Sequence, residues 1–468
     1  MSKHLSRREF LKGAALTPLA LTLLGNGQRL FAAETKRPNI ILFTSDDHDL
    51  RDLGCMGNAH IQTPNLDRFA GEGAICTRVY TPTAVCMPSR AALMTGMYPH
   101  TSGGYRFGPL RPGTRTLTAM LKDAGYFTGV IGKSHVAPKA LYPFDYVWTS
   151  KGWTAAPTRD PKPFGEHTAE FLKQAGDKPF FGYINSSDPH RPWPNGRRIL
   201  GKPSPHDVNK VQVHGFLPDL PETRRDLQCY YDAVYRLDAC FNAVMSELEK
   251  TGRGRADNTL VMFMGDNGIA LPFAKTNLYD AGVHMPFLVR WPGVVEPGTR
   301  IDARFSFIDI LPTCLEAAGA KVPANVQGKS FLRVLRGETK THRSDIFVSH
   351  TDHYVSSYPC RSILTEEYQY IYNLSPRMKF RNASMGTGTW KTMVKLAEND
   401  PKMAARVNGY VSRPREELFD LKGDPWELVN LAGKPEHAKV QKELYDRLRA
   451  KMDEIKDPWL KRMKPFGT

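Results

Sequence analysis

The hydrophobic residues of this chain fall into short apolar runs separated by stretches with helical periodicity. The run at residues 38–45 is rich in branched side chains, and similar runs follow at 128–131, 180–185 and 259–264. Runs of this kind are typical of strands buried on both faces of a parallel sheet. The helical stretches between them are longest at residues 226–250. We therefore predict an α/β fold with a mostly parallel sheet flanked by helices.

The pattern changes near residue 340. Three strand-like runs and one amphipathic helix follow, at residues 346–349, 362–374, 417–421 and 437–455. Strands separated by turns, with a helix at the end, are typical of an α+β arrangement. We predict a main α/β domain over residues 34–340 and a smaller C-terminal α+β subdomain over residues 341–468.

Polar residues follow the four apolar runs of the main domain, at the point where each run ends. They are Asp46-Asp47, Lys133 with His135, His190, and Asp266-Asn267, with Lys275 a few residues further on. A lone histidine or lysine in such a loop is usually a solvated surface residue. Ligands of open α/β sheets, however, bind at the carboxyl ends of the strands. The sequence therefore predicts one site, built from segments more than two hundred residues apart.

The acidic residues of this set predict a metal site. Asp46, Asp47, Asp266 and Asn267 offer only oxygen ligands, which suit Ca²⁺ or Mg²⁺ better than zinc. A pair of aspartates at a strand end is by itself more often a turn. A second strand that ends in Asp-Asn-Gly favours the metal site, and we predict Ca²⁺ with Mg²⁺ as the alternative.

The first 33 residues predict an export signal. Residues 6–12 read Ser-Arg-Arg-Glu-Phe-Leu-Lys, which is similar to the twin-arginine motif. The apolar stretch at 13–24 is too short to span a bilayer, and Ala32-Ala33 suit a cleavage site. We expect the twin-arginine translocase as a partner, a location in the bacterial periplasm or outside the cell, and no stable membrane anchor.

The charge balance favours an anionic partner. The chain has a formal charge of +16, of which the predicted signal carries +4 (five Lys or Arg against one Glu). The basic residues are scattered and no nucleic-acid motif is present, so that we expect an acidic polysaccharide and no nucleic acid. The seven cysteines show no metal-type spacing, and a disulfide between Cys229 and Cys240 remains open.

The most specific motif is Cys-Met-Pro-Ser-Arg-Ala-Ala-Leu-Met-Thr-Gly at residues 86–96. Pro88 and Ser89 also suit an ordinary helix start, in which Cys86 would be a buried thiol. Together with Arg90, however, these residues resemble the modification site of the type I sulfatases. The Asp-Asp, Gly-Lys-x-His, Asp-Pro-His and Asp-Asn-Gly segments and the later lysine occur in the order seen in that family. The resemblance covers nearly all of the chain after the predicted signal.

The resemblance implies an alkaline-phosphatase-like fold and a nucleophile made from Cys86. A formylglycine-generating or anaerobic sulfatase-maturating enzyme would oxidise Cys86 to formylglycine, and one hydroxyl of its hydrate would attack sulfur. His135 would then remove a proton from the other hydroxyl to expel sulfate. His190 and Lys275 would stabilise or protonate the leaving group. Some family members carry arginine in place of Lys275. The helical spacing also predicts that Arg90 holds the modified side chain or a sulfate oxygen, and Lys133 would face the same anion.

Several further blocks resemble the N-sulfoglucosamine sulfohydrolase branch of the family. They are residues 132–136, 142–145, 188–191, 276–279 and 357–361. This likeness implies cleavage of the N-sulfate of a glucosamine in heparin or heparan fragments, with Asp352, His353 and Arg361 as sugar contacts. The alternatives are an O-sulfatase on another sulfated polysaccharide, a phosphonate or phosphodiester hydrolase of the same superfamily, and a non-catalytic glycan-binding protein.

Overall fold

The central strand of the molecule, β1 (Asn39–Ser45), is buried along its whole length. Its side chains alternate between two cores, as the pleat of a strand requires: Ile40 and Leu42 pack into one, and Ile41 and Phe43 into the other. The structure is a computed structural model that describes residues 37–149, 156–353 and 356–467. The signal predicted at residues 1–33 lies outside these ranges. Residues 38–468 form one compact unit.

The strands and helices follow one another along this unit. The further strands are β2 (Ala74–Tyr80), β3 (Phe127–Gly132), β4 (Tyr146–Trp148), β5 (Phe180–Asn185), β6 (Arg198–Ile199), β7 (Lys202–Pro203), β8 (Thr259–Gly265), β9 (His284–Met285), β10 (Phe287–Arg290), β11 (Thr299–Ser306), β12 (Ile346–His353), β13 (Ser356–Leu364), β14 (Tyr368–Asn373) and β15 (Glu416–Asp420). The helices are α1 (Pro64–Glu72), α2 (Cys86–Thr95), α3 (Pro99–Ser102), α4 (Leu117–Asp123), α5 (Pro161–Ala175), α6 (Pro221–Lys250), α7 (Arg253–Ala256), α8 (Asp280–Val283), α9 (Ile310–Ala317), α10 (Leu332–Leu335), α11 (Gly388–Leu396), α12 (Pro401–Val411) and α13 (Ala438–Glu454).

The main sheet is mixed but mostly parallel, as predicted. Within the described residues its strand order is β11-β2-β10-β8-β1-β5-β3-β4, with β9 paired to β2. The strands β8, β1, β5, β3 and β4 are parallel neighbours, whereas β10 runs antiparallel to both β8 and β2. The four apolar runs of the sequence analysis are thus adjacent strands whose carboxyl ends meet at one edge.

Helices cover both faces of this sheet. The core on one face includes Leu93 from α2, Leu121 from α4 and Leu311 from α9. The core on the other face includes Phe171 from α5 and Phe241 from α6. Because both faces are covered, the strand ends are the part of the sheet left for polar side chains.

A second, antiparallel sheet follows, in the order β12-β13-β14-β15. The single run predicted at residues 362–374 is two strands, β13 and β14, joined by a turn. Helix α13 packs on this sheet through Leu444 and Leu448, in a core shared with Ile363. The helices α5, α11 and α12 and the strands β2 and β11 were not predicted.

All seven cysteines have free thiols, which corrects the disulfide left open between Cys229 and Cys240. Both residues lie on the one helix α6. Eleven residues of helix separate two Cα atoms by about 16 Å along the axis, far beyond the roughly 7 Å that a disulfide spans. Within the described residues, no helix has the length and apolar character needed to cross a membrane.

Candidate active site

The carboxyl ends of β1 and β8 bring the four predicted metal-ligating residues together. The backbone N–H of Asp47 donates to Asp266 Oδ1 at 3.0 Å, and Asn267 Nδ2 donates to Asp47 Oδ1 at 2.8 Å. Asp46, Asp47 and Asn267 have no exposed surface, and Asp266 is 1% exposed. These side chains form one buried acidic cluster.

Cys86 is the first residue of α2 and lies beside the acidic cluster. Its sulfur is within 4.8 Å of carboxylate oxygens of Asp46 and Asp266. The Ser89 hydroxyl fixes the helix there, because it donates to the backbone carbonyl of Asp266 and accepts from the Thr81 hydroxyl, both at 2.7 Å. Burial raises the pKa of the Cys86 thiol to about 12. The unmodified thiol is therefore a poor nucleophile near neutral pH.

Arg90 is fully buried and directed into the acidic cluster. Its Nε donates to Asp266 Oδ2 at 2.9 Å, and its Nη1 donates to Asn185 Oδ1 at 2.6 Å and Thr44 Oγ1 at 3.1 Å. The spacing along α2 predicted a contact with the modified side chain or with sulfate. In the structure these donors join the ends of β1 and β5 to Asp266, so that Arg90 positions the cluster, while its Nη2 donates no hydrogen bond within the described residues. The predicted contact with the modified side chain or with sulfate stays a prediction.

Two lysines balance the negative charge of the cluster. Lys133 forms an ion pair with Asp46, and Lys275 Nζ lies 2.6 Å from Asp47 Oδ1. Burial raises the pKa of Asp46, but the neighbouring cations, Lys133 foremost, outweigh burial and hold that pKa well below its ordinary value. Burial lowers the pKa of Lys275, but Asp47 raises it further, to well above its ordinary value. Asp46 and Lys275 are thus both charged near neutral pH.

Two histidines complete the set from the strand ends. His190 Nε2 lies 3.7 Å from Asp47 Oδ2. Burial lowers the pKa of His135 to about 2, and Lys133 acts in the same direction. Burial and Lys275 also lower the pKa of His190. Both imidazoles are therefore neutral near neutral pH and able to accept a proton.

The acidic cluster fits a hard divalent cation. In the part of the chain that the structure describes, Asn267 Oδ1 and Asp46 Oδ1 are buried and accept no hydrogen bond, whereas Asp46 Oδ2 is paired with Lys133. Buried acceptors without donors are costly unless a cation binds them. An oxygen-only donor set of this kind suits Ca²⁺ or Mg²⁺.

Left-handed backbone is concentrated around the cluster. Asp47 (φ 64°), His135 (φ 45°) and Thr276 (φ 67°) have positive φ although none of them is glycine. Such conformations are strained for residues with a Cβ, and they are found preferentially at functional sites. Gly132 has φ 89°, and a Cβ there would lie 2.0 Å from the carbonyl oxygen of Asn185. Only glycine fits the turn that leads to His135.

A cleft of 240 Å³ reaches down to Cys86. Its lining residues are Asp47, Cys86, Phe107, His190, Arg191, Ala270, Lys275, Thr276, His353 and residues 382–384. We call the acidic cluster with Cys86, Arg90, Lys133, His135, His190 and Lys275 the floor of the cleft. We call residues 376–412, which contribute the lining residues 382–384, its wall.

Polar contacts tie the wall to the rest of the cleft. Asn382 Nδ2 donates to the Thr276 hydroxyl at 2.8 Å. Asp226, on α6, accepts from the Thr389 hydroxyl at 2.8 Å and lies 3.3 Å from Arg191 Nη2. A single carboxylate thus joins the first turn of α11 to an arginine that lines the cleft.

The structure separates the three predicted sugar contacts. His353 lines the cleft, and burial lowers its pKa to about 4. Asp352 precedes it and forms an ion pair with Arg106 at 2.6 Å. Arg361, however, has no exposed surface, and its Nε and Nη2 bind the carboxylate of Asp457 at 2.5 and 3.2 Å. We therefore exclude Arg361 from the substrate contacts, since its donors are used inside the protein.

Comparison with known proteins agrees with this geometry. A profile of the sulfatase family matches residues 38–320. The chain belongs to the sulfatase family. A second profile, described as N-sulphoglucosamine sulphohydrolase, C-terminal, matches residues 268–380 of this sulfatase. The sulfatase is therefore a hydrolase of sulfate esters or sulfamates, and its family generally uses formylglycine and a divalent metal.

Relatives of known activity extend over most of the sulfatase. It is 30% identical to human N-sulphoglucosamine sulphohydrolase over 463 residues, which cover 90% of this chain and 91% of the relative. It is also 30% identical to an ulvan-active sulfatase of Formosa agariphila over 430 residues, 88% of this chain and 79% of the relative. A protein solved in complex with its substrate D-glucosamine-2-N,6-O-disulfate shares the fold, with a TM-score of 0.70, 23% identity, and coverage of 90% of this chain and 99% of that one.

Sequence reasoning gave no role to several residues that line the cleft of the sulfatase. Arg191 and Thr276 adjoin predicted site residues, so that their neighbours could have indicated them. Phe107 and residues 382–384 follow no strand of the main sheet and carry no motif. Only the folded chain brings them beside Cys86.

Proposed function

We propose that this sulfatase removes sulfate from a sulfated glycan, most specifically the N-sulfate of a glucosamine at the non-reducing end of heparin or heparan fragments. The observation that carries the proposal is the position of Cys86 at the bottom of a 240 Å³ cleft beside Lys275 and His190. A cleft of this size suits one terminal sugar whose sulfate enters first. The likeness to N-sulphoglucosamine sulphohydrolase supports the choice of the N-sulfate.

The oxygen ligands of Asp46, Asp47, Asp266 and Asn267 would hold Ca²⁺, with Mg²⁺ as the alternative. A bound divalent cation supplies positive charge that polarises the sulfuryl group. Formylglycine at position 86 supplies the nucleophilic hydroxyl that the protonated thiol of Cys86 lacks. The remaining steps fall to the side chains of the floor.

The charged and the neutral side chains of the floor would have different roles in the reaction. Lys275 carries its charge next to Cys86 and would stabilise the anionic sulfate group. His135, neutral in its buried position, would accept the proton that is lost when sulfate departs. His190 lines the cleft and, together with Lys275, would stabilise or protonate the leaving nitrogen or oxygen. Lys133 and Arg90 hold the carboxylates of the floor in place.

The sugar ring would contact the upper part of the cleft. His353 lines the cleft, and Asp352 lies beside it on β12. We propose these two residues as sugar contacts, together with Arg191, which lines the same cleft. The guanidinium of Arg191 is stacked on Trp193 at 3.6 Å, which fixes its plane for a second anionic group.

Maturation and export complete the proposal. A formylglycine-generating or anaerobic sulfatase-maturating enzyme would convert Cys86 in the cytoplasm. The twin-arginine translocase would then carry the folded protein to the periplasm or the medium. A shift of the mature N-terminus to about residue 34, seen by mass spectrometry of secreted protein, would support this route.

The test is sulfate release by the protein co-expressed with a maturation enzyme. The panel contains N-, 2-O-, 3-O- and 6-O-sulfated glucosamine saccharides and a phosphodiester. We expect the N-sulfate to be released fastest and Cys86→Ala to release none, while Cys55→Ala, which removes a half-buried thiol elsewhere, stays active. Faster release of an O-sulfate would reassign the substrate, and faster phosphodiester cleavage would reject the sulfatase reaction. Full activity of Cys86→Ala would reject the nucleophile.

A further inference from the structure

The wall is a basic part of the surface next to the cleft. Residues 376–412 contain seven Lys or Arg and two Asp or Glu, a net charge of +5 (7 − 2). The whole chain of 468 residues carries +16, so that a segment of 37 residues holds almost a third of the excess. This concentration was not visible in the scattered basic residues of the chain as a whole.

Two cations of the wall lie where a positive charge disfavours the helix that carries it. Lys391 lies in the first turn of α11, and Lys402 in the first turn of α12. A positive charge there opposes the helix dipole. In α11 no acidic residue of the first turn offsets it, whereas in α12 the N-cap carboxylate of Asp400 does so. Lys395 follows Lys391 at the i,i+4 spacing, where like charges repel.

These lysines also differ from the other surface lysines of the protein. In the described part of the chain, no ion pair involves Lys391, Lys395 or Lys402, and all three are exposed. On α13, by contrast, Lys442 pairs with Asp446 at 2.5 Å and Lys451 with Glu454 at 2.8 Å. These three lysines therefore present positive charge that no ion pair in the described chain neutralises.

Helix α11 begins near the cleft. Thr389 is bound to Asp226, which also pairs with Arg191 in the cleft lining. Lys391 is two residues further on, or about 3 Å along the helix axis, and Lys395 about 9 Å. An extended anionic chain that leaves the cleft along α11 would come within reach of these two lysines.

We propose that the exposed face of α11, with Lys391 and Lys395 and continuing to Lys402, is a docking surface for the sulfated chain that extends from the terminal sugar. The proposal rests on the proposed function, because it takes the substrate to be a sulfated glycan. It goes beyond it in assigning a preference for oligosaccharides over the monosaccharide. Binding through this surface depends on charge and weakens with salt.

The test compares two double variants with equal changes of charge. One is Lys391→Glu/Lys395→Glu, and its control is Lys439→Glu/Arg449→Glu, two exposed cations on α13 without an ion pair in the described residues. Fluorescence anisotropy measures the Kd for a labelled, N-sulfated heparin octasaccharide at 50 and 300 mM salt. We expect the wall variant to raise the Kd about tenfold at low salt and much less at high salt. The control should stay within twofold of wild type.

Kinetics give a second readout of the same surface. The ratio of kcat/KM for the octasaccharide to kcat/KM for the monosaccharide should fall about tenfold in the wall variant and stay constant in the control. Thermal unfolding checks that both variants fold. Lys391→Gln/Lys395→Gln, which removes charge without reversing it, should give a smaller loss of the same kind.

The outcomes separate the two proposals. Equal Kd values for the wall variant and its control, or a wild type that does not bind the octasaccharide, would overturn the docking surface. Competition by a duplex DNA oligonucleotide as strong as that by unlabelled octasaccharide would overturn its assignment to a sulfated glycan. Charge-dependent binding without sulfate release from any saccharide would reject the proposed function and leave the docking surface standing.

Discussion

The floor and the wall of the cleft are built in different ways. In the floor, Asp46, Asp47 and Arg90 have no exposed surface, and each charge meets an opposite charge. The wall is exposed along much of α11 and α12, and reaches the cleft through contacts such as Asn382 to Thr276. The floor can therefore hold reacting groups rigidly. The wall can change its charge and shape without disturbing them, which suits recognition rather than chemistry.

Removal of the metal from the floor should cause the largest loss of activity. A bound divalent cation would supply the positive charge that polarises the sulfuryl group, so that chelation by EDTA should lower sulfate release by about 10³-fold and added Ca²⁺ should restore it. Asn267→Ala removes a ligand without changing the charge and should weaken Ca²⁺ binding, measured by calorimetry. An enzyme that keeps its full rate after chelation would contradict the metal site.

Substitution of His135 should test whether this residue of the floor acts as the general base. His135→Ala should lower kcat by about 10²–10³-fold, the usual contribution of a general base, and leave KM nearly unchanged. Because the pKa of His135 is lowered to about 2, its ring stays neutral throughout the mildly acidic range. The wild-type rate should thus show no acid limb from His135 between pH 5 and 7, as a pH–rate profile can check. A His135→Ala variant with unchanged kcat would remove His135 from the mechanism.

A substitution where the floor and the wall meet should raise KM rather than lower kcat, and its effect should be smaller. Asp226→Ala releases Thr389 and Arg191 together, so that KM should rise about fivefold to tenfold while kcat stays within twofold. Asp219→Ala, which breaks the exposed pair with Arg224, is the matched control and should change neither constant. A fall in kcat with constant KM would show instead that Asp226 acts on the floor.

Arg361 lies outside both regions and should affect stability rather than catalysis. Arg361→Ala leaves the buried Asp457 without its partner and should lower the free energy of unfolding by about 3–5 kcal/mol. Burial raises the pKa of Asp457, but the ion pair lowers it further, so that it lies below the ordinary value. The pair therefore stabilises the protein above pH 4, and this contribution is lost as the pH falls through the lowered pKa. Denaturation curves at pH 7 and pH 3 should show the variant losing less stability between them than wild type. A tenfold rise in KM at full stability would restore Arg361 as a sugar contact.

The same contrast explains what the sequence could predict. The floor was predictable because its residues directly follow apolar strands, and parallel strands end at one edge. The wall was not, because residues 382–384 reach Cys86 only through the packing of α11, α12 and the second sheet. Arg361 was assigned to the substrate because a sequence does not show whether an arginine faces a cleft or an internal carboxylate.

The burial of Cys86 has a consequence for the order of events in the life of the chain. Only 1% of its surface is exposed, at the end of a cleft of 240 Å³. The proposed maturation enzyme would therefore have to reach Cys86 before α2 docks against the acidic cluster. Oxidation and folding would then compete in time, and a chain that folded first would stay inactive. The fraction of active molecules would thus depend on the relative rates of oxidation and folding.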